Sequence, residues 1–342
     1  MRKFSVLAAV LVSLLLGGAR VARAASDLQV YFIDVDGGQS TLFVTPAGKS
    51  LLIDTGWAGN DGLDAKRIAA AAKDAGVSKI DYVLLTHYHA DHTGGVPELV
   101  QQIPVGAFID HGPPSPTDPS TTKWYAGYQQ VLANGHYGHI VAKPGDALPI
   151  PGIKAVVVSA NGALLSHPLP GAGQPNPYCK DSETRPEDQT DNSRSVGTLF
   201  TFGKLKILDL GDLTWDKEMQ LMCPVNKLGK VDILVVSHHG LFQSSSPALV
   251  DAVAPRVAIM NNGAKKGGSP PTFATLARAP GLETLWQLHF SDEAATHNSG
   301  EQYIANTTGA DAANYLKLTA SPSGKFAVFN PRTGATKDYA AR

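Results

Sequence analysis

Short apolar runs separated by glycine-rich turns fill the first part of the chain. The runs at 28–33, 40–45 and 50–53 predict antiparallel strands that are joined by hairpins. The next segment, GLDAKRIAAAAKDAG, carries alanine and isoleucine at helical spacing and predicts a helix that stops at Gly76. The run IDYVLLTH then predicts a buried strand ending at His87. A polar cluster therefore begins where this strand ends.

The second half of the chain repeats this order of elements. Further strands are predicted at the runs IKAVVVSA, SVGTLFTFGKLKILDLGD, VDILVVSHHG and RVAIMNNG. Before these runs, helices are expected near 96–103 and within YAGYQQVLANG. Segments 112–119 and 168–186 are rich in proline, glycine and serine and predict long loops, which usually serve a site. Two β-rich halves with helices outside predict an α/β protein, a four-layer α/β/β/α sandwich. The run SPSGK predicts a closing hairpin, so 25–342 is expected to be one domain.

The N-terminus has a different composition. Two basic residues precede an apolar run at 4–16, and Ala22 and Ala24 provide a cleavage site, so residues 1–24 are predicted to be a secretory signal. The apolar run is short for a membrane span, and none is expected after the signal is removed. The protein is therefore predicted to be periplasmic or secreted.

Charge narrows the range of partners. The predicted signal contains four basic residues and no acidic ones, so its removal lowers the formal net charge from -1 to -5. A mildly acidic protein lacks the basic surface that tight nucleic-acid binding needs. The expected partner is a small-molecule or envelope ester substrate, and the sequence leaves the oligomeric state open.

Two cysteines, Cys179 and Cys223, lie beyond the predicted signal. In an exported protein they are suited to form one disulfide. The sequence does not show their separation in space, so their pairing stays open at this stage.

The segment LLTHYHADHTGG places three histidines and an aspartate within six residues. Alternate residues of an extended chain point the same way, so His87 and His89 are expected to share one cation. Asp91 and His92 follow a turn, for which the TGG sequence provides backbone freedom, and are expected to reach a second cation. The pattern predicts a two-cation centre at the strand end.

Further ligands are predicted at other strand ends. Asp212 follows an apolar strand and is a candidate to bridge the two cations, or alternatively to cap the helix LTWDKEMQLM. His238 and His239 follow another strand and form a predicted ligand loop, without an indication of which one binds. Asp54 is expected either to orient the metal-binding loop through a hydrogen bond or to cap a turn.

The sequence THYHADHTGG matches the His-x-His-x-Asp-His signature of the metallo-β-lactamase superfamily, and the chain resembles that superfamily over 28–263. The aspartate of IDTG precedes this motif, and the aspartate of LGD and then the final histidine follow it, in the order of that superfamily. The resemblance implies an α/β/β/α fold. It also implies two divalent metal ions, zinc in the first instance with manganese or iron as alternatives, and hydrolytic activity.

The finer resemblance is to the branch that includes the metallo-hydrolase domain of the DNA-uptake protein ComEC. FIDVDGGQSTLF, DNSRSVGTLFTFGKLKILDLGD and SHHG carry it, although DVDGGQS shifts the usual glycine and glutamine order. In that branch an Asn/Ser motif replaces the middle histidine ligand, and here Asn192 stands at that point. His167 is the nearby histidine that is a candidate to take over this role, and His111 is a candidate to line the pocket.

Two cations that share Asp212 would hold a water and convert it into hydroxide near neutral pH, with Asp91 orienting it. The expected function is thus that of an exported binuclear metal-dependent hydrolase that attacks a phosphodiester or another ester. Lactam or lactone hydrolysis is an alternative, although the missing middle histidine counts against it. A non-catalytic metal-binding module of the same fold is a further alternative.

Overall fold

A computed structural model describes residues 27–307 and 313–342, so the predicted signal at 1–24 lies outside the described residues. The strands in chain order are β1 (Leu28–Phe32), β2 (Thr41–Val44), β3 (Ser50–Ile53), β4 (Ile80–Leu84), β5 (Val105–Asp110), β6 (Gly138–Val141), β7 (Lys154–Ala160), β8 (Ala163–Leu164), β9 (Gln174–Pro175), β10 (Gly197–Phe202), β11 (Leu205–Asp209), β12 (Val225–Asn226), β13 (Ile233–Val235), β14 (Val257–Met260), β15 (Thr284–His289), β16 (Ile304–Asn306), β17 (Leu316–Ala320), β18 (Lys325–Asn330) and β19 (Ala335–Ala340). The α-helices are α1 (Leu63–Asp74), α2 (Ala90–Thr93), α3 (Val96–Gln102), α4 (Thr122–Asn134), α5 (Trp215–Met222), α6 (Pro247–Val253) and α7 (Pro270–Arg278).

Two large sheets form the centre of the structure. The first has nine strands in the order β19-β18-β17-β1-β2-β3-β4-β5-β6, and the second has eight in the order β16-β15-β14-β13-β11-β10-β7-β8. The predicted C-terminal hairpin is present and joins the first sheet, because β17 pairs antiparallel with β1 and places Leu28 opposite Ala320. Strands β3 to β6 are parallel, as are β11 and β13 to β16. In each sheet, parallel strands therefore present their carboxyl ends at one edge.

The layers follow from the alternation of side chains along each strand. In β1, Leu28, Val30 and Phe32 face the second sheet, while Tyr31 packs against the helices outside. Helices α1, α3 and α4 cover the first sheet, and α5, α6 and α7 cover the second. The order is helix, sheet, sheet, helix, so the predicted four-layer α/β/β/α sandwich is confirmed.

Several elements differ from the sequence-based expectations. The polar stretch around β6 forms an edge strand, where His139 Nε2 lies 2.8 Å from a carboxylate oxygen of Asp110. Helix α5 begins at Trp215 with Thr214 before it, so Asp212 does not cap this helix. The segment 112–119 is a loop as predicted, and it leads into a short 3₁₀ turn at Pro119–Thr121.

The two cysteines are paired. Cys179 and Cys223 form a disulfide with their Cα atoms 5.9 Å apart, which resolves the pairing that the sequence left open. The bond ties the loop around β9 to the end of α5. In the described part of the chain, no helix combines the length and apolar character that crossing a membrane requires.

Candidate metal centre

The predicted site residues meet where strands of both sheets end. Asp54 follows β3 and His87 follows the adjacent parallel strand β4. Asp212 follows β11 and His238 follows its parallel neighbour β13 in the second sheet. Because neighbouring parallel strands end at the same sheet edge, residues far apart in sequence converge on one place.

The carboxylate of Asp212 is the centre of this arrangement. Its Oδ2 atom lies 3.2 Å from His92 Nε2 and 3.9 Å from His87 Nε2. The same oxygen lies 3.4 Å from Nε2 of both His238 and His239. Imidazoles from both halves of the chain therefore surround one buried carboxylate oxygen, as a bridging ligand requires.

A second carboxylate completes one compact ligand set. Asp91 Oδ2 lies 3.3 Å from His92 Nε2 and 3.1 Å from His239 Nε2. One ligand atom from each of Asp91, His92, Asp212 and His239 lies within 4.8 Å of the other three, and all four residues are buried. Two carboxylates and two imidazoles suit zinc, manganese or iron. The donor chemistry thus fits one divalent cation.

The outer nitrogens of the rings have hydrogen-bond partners that set their tautomers. His92 Nδ1 lies 2.7 Å from Asp54 Oδ2, and His239 Nδ1 lies 3.1 Å from the carbonyl oxygen of Asn261. Both partners are acceptors, so both Nδ1 atoms donate and leave the Nε2 lone pairs facing inward. These two Nε2 atoms are only 3.1 Å apart. Two lone pairs so close need a positive charge between them.

The electrostatics of the buried groups point the same way. Burial lowers the pKa of His92, but Asp212, Asp91 and Asp54 outweigh burial and raise that pKa well above its ordinary value. Burial raises the pKa of Asp212, but His92, His239 and His238 reverse this and hold it well below its usual range. The buried acidic and imidazole groups thus favour bound positive charge between them, which a metal ion supplies.

Both histidines of the SHHG motif reach the centre because of an unusual backbone conformation. His238 and His239 have φ angles of 56° and 55°, in the left-handed region that non-glycine residues seldom adopt. Gly240 continues the turn with a φ of 83°. This turn directs both rings toward Asp212. The sequence did not indicate which histidine would face the site, and in the structure both do.

Further histidines lie near Asp212, outside the compact set. His87 Nε2 is 3.0 Å from His89 Nδ1, and the Nε2 atom of His89 is held by Asp118 at 2.7 Å. Asn192 Nδ2 lies 3.4 Å from His238 Nε2, and Asn192 Oδ1 is buried with no hydrogen-bond partner among the residues that the structure describes. His87 and His238 thus approach Asp212 from outside the compact set, and His89 contacts His87.

The other candidate residues occupy different positions. His167 is exposed in the loop after β8 and takes part in none of the contacts described for this centre. His238 lies instead beside Asn192, where the middle histidine ligand is missing. His111 is fully buried behind the centre, with Nε2 3.3 Å from Asp191 Oδ2, so it does not line an open pocket.

The glycines after the histidine motif have a different role from the predicted one. Gly94 and Gly95 have ordinary right-handed helical conformations, so the expected need for turn freedom is wrong. A Cβ atom on Gly95 would instead collide with the carbonyl oxygen of Thr55, and one on Gly94 would lie 2.7 Å from the amide nitrogen of Ala58. These glycines allow the loop after β3 to pack directly on the metal-binding loop.

Sequence reasoning did not find three supporting residues. Asp118 holds His89, and the only sequence signal for it was the unusual Pro- and Ser-rich loop. Gln39 donates its backbone N–H to the carbonyl oxygen of Asp91 at 3.0 Å, which gives a structural role to the DVDGGQS motif. The ammonium of Lys266 contacts Asp91 Oδ2 directly, and no motif marked this lysine.

Comparison with known families agrees with this geometry. The sequence model of the Metallo-beta-lactamase superfamily matches residues 34–181, the part that contains the histidine motif. Recombination protein 2 of Haemophilus influenzae, a ComEC-like protein, is 25% identical over 252 residues, which cover 73% of this chain and 26% of that protein. The chain thus spans about a quarter of the length of this curated relative. The predicted resemblance to the metallo-β-lactamase superfamily and its ComEC-like branch is confirmed.

Solved structures of distant similarity were also found. The CmlA β-hydroxylase E377D mutant is 15% identical, with a TM-score of 0.43 and coverage of 77% of this chain and 52% of that chain. MEM-A1, a subclass B3 metallo-beta-lactamase from a soil metagenome library, is 16% identical, with a TM-score of 0.35 and coverage of 78% of this chain and 77% of that chain.

Proposed function

We propose that the protein is an exported, metal-dependent hydrolase that holds two divalent cations and cleaves a phosphodiester or another ester. One observation carries this proposal: the buried Asp212 oxygen has imidazole nitrogens from both halves of the chain within 3.9 Å. This arrangement matches the expectation of a carboxylate shared between two cations. The metallo-β-lactamase hydrolase-like fold supports it.

The chain's own residues prepare the site for hydrolysis. Bound cations would supply an acidified water as nucleophile and would polarise the scissile bond. Asp54 fixes the His92 ring, and Asp118 fixes the His89 ring, so little reorganisation is needed for binding. Neither cysteine is available as a nucleophile, because both lie in the disulfide.

Export is part of the proposal. A structural disulfide is typical of proteins that fold in an oxidising compartment, and Cys179 and Cys223 form one here. The N-terminal sequence supports the same destination, since it has the charge and apolar pattern of a secretory signal. Expression of the full chain in a bacterium, followed by fractionation and N-terminal sequencing, tests it: we expect mature protein starting after Ala24 outside the cytoplasm.

The hydrolytic activity is tested by a panel of substrates. Metal-loaded protein is assayed with bis-p-nitrophenyl phosphate, p-nitrophenyl acetate, nitrocefin and an acyl lactone, and its metal content is measured by mass spectrometry. We expect turnover of the phosphodiester, its loss after exhaustive chelation, and recovery when zinc or manganese is returned. The D212A variant should be inactive, while H167A should keep full activity because His167 is exposed and remote from these contacts.

Each other outcome has a defined meaning. Activity that survives exhaustive chelation contradicts metal-dependent hydrolysis. Cleavage of nitrocefin or the lactone without the phosphodiester identifies a lactam or lactone hydrolase. Stoichiometric metal without turnover of any substrate identifies a metal-binding module that lacks catalysis.

A further inference from the structure

We propose that Lys266 recognises an anionic oxygen of the substrate at the metal centre, and thereby gives the site a preference for phosphodiesters over neutral esters. The preference for phosphodiesters rests on the proposed function. The Lys266 ammonium contacts Asp91 Oδ2, and it lies 4.8 Å from the centre of the Trp57 ring. About a third of the side chain is exposed, at 31%, so this cation faces both the metal ligands and the solvent.

The backbone fixes the lysine in this position. Gly263 donates its N–H to the carbonyl oxygen of Lys266 at 2.8 Å, which closes a tight turn after β14. At the other end of the turn, Gly268 donates to the carbonyl oxygen of His239 at 2.9 Å. A Cβ atom on Gly37 would lie only 3.0 Å from Lys266 Cβ. The lysine turn is thus packed between the His239 turn and the N-terminal glycine motif.

Charge balance indicates what the ammonium would bind. Asp91 Oδ2 is shared by Lys266, His92 and His239, and a cation in the buried ligand set would use the same carboxylate. Two divalent cations carry more positive charge than Asp91 and Asp212 carry negative charge. With both cations bound, these carboxylates would no longer neutralise the charge of Lys266. An anionic oxygen is the partner that this partly exposed ammonium then requires. A phosphodiester carries such an oxygen next to the scissile bond, whereas a neutral ester does not.

The chain offers a matched control. Lys265 is the adjacent residue, has the same chemistry and is exposed to solvent, while Lys266 is half-buried against Asp91. The variants K266M and K265M therefore remove the same charge from neighbouring positions. K266R keeps the charge at the tested position and should rescue a role that depends on charge.

The first measurement is the binding of orthophosphate to the metal-loaded proteins by isothermal titration calorimetry. We expect K266M to bind orthophosphate about ten- to a hundredfold more weakly, the range for losing one charge-assisted hydrogen bond. K265M should match the wild type, and K266R should recover most of the affinity. Metal content and thermal midpoint, measured on the same samples, show whether each variant is folded and loaded.

The second measurement is steady-state kinetics. For K266M we expect a higher KM for bis-p-nitrophenyl phosphate with a smaller change in kcat, and a smaller increase in KM for p-nitrophenyl acetate than for the phosphodiester. Unchanged orthophosphate affinity in K266M at equal metal content would overturn the proposal. Tighter metal binding in K266M with unchanged phosphate binding would also overturn it, because Lys266 would then only substitute for a cation.

Failure of the proposed function gives a different result. A wild-type protein that binds orthophosphate in a Lys266-dependent way, yet hydrolyses no ester, contradicts the proposed hydrolase while supporting anion recognition by Lys266. A wild type that hydrolyses bis-p-nitrophenyl phosphate as fast as K266M, with equal KM values, supports the hydrolase and contradicts the role of Lys266.

Discussion

His238 and His239 are adjacent residues whose Nε2 atoms lie at equal distances, 3.4 Å, from the same oxygen of Asp212. Their remaining neighbours distinguish them. His239 also approaches Asp91 and His92, whereas His238 lies next to Asn192. In the proposed two-cation centre, each histidine would therefore serve a different cation.

This division predicts separate losses of metal. H239A should remove the cation held by the compact set with Asp91, His92 and Asp212, and H238A should weaken the other one. Each variant is expected to retain about one ion per chain after dialysis, against two in the wild type. Metal content by mass spectrometry gives the counts, with H167A as the control. Equal content in H238A and the wild type would show that His238 is not a ligand.

Asp54 supports the centre through its contact with His92 Nδ1. We expect its replacement to weaken metal binding less than the loss of a ligand does. Its carboxylate accepts hydrogen bonds from the backbone N–H and the hydroxyl of Thr86, both at 2.7 Å, and lies 2.7 Å from His92 Nδ1. In D54N the amide has only one acceptor oxygen, so the His92 ring loses its fixed tautomer. We expect metal affinity to fall about ten- to a hundredfold. Competition with a chromogenic chelator measures the affinity, and wild-type affinity in D54N would contradict the supporting role.

At the scale of elements, the turn after His239 depends on a buried carboxyl in α5. Glu218 accepts hydrogen bonds from the backbone N–H groups of Ser245, at 2.8 Å, and Ser246, at 2.7 Å. Ser246 in turn caps α6, because its hydroxyl accepts from the N–H of Leu249. Glu218 therefore links α5, the segment after the SHHG turn, and the start of α6.

This link predicts a pH dependence of stability. Burial raises the pKa of Glu218 from 4.5 to about 7, although the hydrogen bonds from Ser246 and Ser245 oppose the increase. The folded state therefore binds this proton more tightly than the unfolded state, so the group favours folding less as the pH rises from 4.5 to about 7. The loss amounts to roughly 3 kcal/mol at most.

The variant E218Q isolates this contribution from the other buried acids. Its amide does not titrate and keeps one acceptor oxygen, which serves one of the two serine N–H groups. Urea unfolding at about pH 5 and about pH 8 gives the free energy of unfolding in each protein. We expect the decrease between these two pH values to be smaller in E218Q than in the wild type. Equal decreases would show that Glu218 does not titrate in this range.

The predictable part of the structure is the part encoded in neighbouring residues. The strand that ends before His87 and the spacing of the histidine motif are local patterns, and period and composition identify them. Strand β6 was missed because it is a largely exposed edge strand that lacks an apolar pattern. Helix α6 was missed because its seven residues lie close to β14 and provide too short a window for helical periodicity.

At the scale of the whole molecule, the unpredicted parts of the site depend on contacts between distant segments. Asp118 lies 29 residues from His89, and Lys266 lies 175 residues from Asp91. Each is one polar residue in a loop, so no sequence pattern distinguishes it from solvated neighbours. Asp118 follows β5, the parallel neighbour of β4 in the first sheet, whereas Lys266 follows β14 in the second sheet and reaches Asp91 because the two sheets pack together.

The disulfide links distant segments covalently, and we expect its reduction to lower the free energy of unfolding substantially. Cys179 and Cys223 are 44 residues apart, and the bond encloses the loop that leads to Asp191 and Asn192. Closing a loop of this length stabilises the folded state by about 4 kcal/mol in the chain-entropy account. We expect dithiothreitol to lower the free energy of unfolding of the wild type by up to this amount.

The double variant C179A/C223A provides the control for this prediction. Because it has no thiols, dithiothreitol should leave its unfolding curve unchanged, and its stability should match that of the reduced wild type. Urea unfolding with and without the reductant, followed by circular dichroism, gives all four free energies. If the reduced wild type unfolds at the same urea concentration as the oxidised protein, the bond does not stabilise the fold. In that case the long loop is held by its noncovalent contacts, such as the hydrogen bonds from Asn176 Nδ2 to the carbonyl oxygens of Met222 and Ala248.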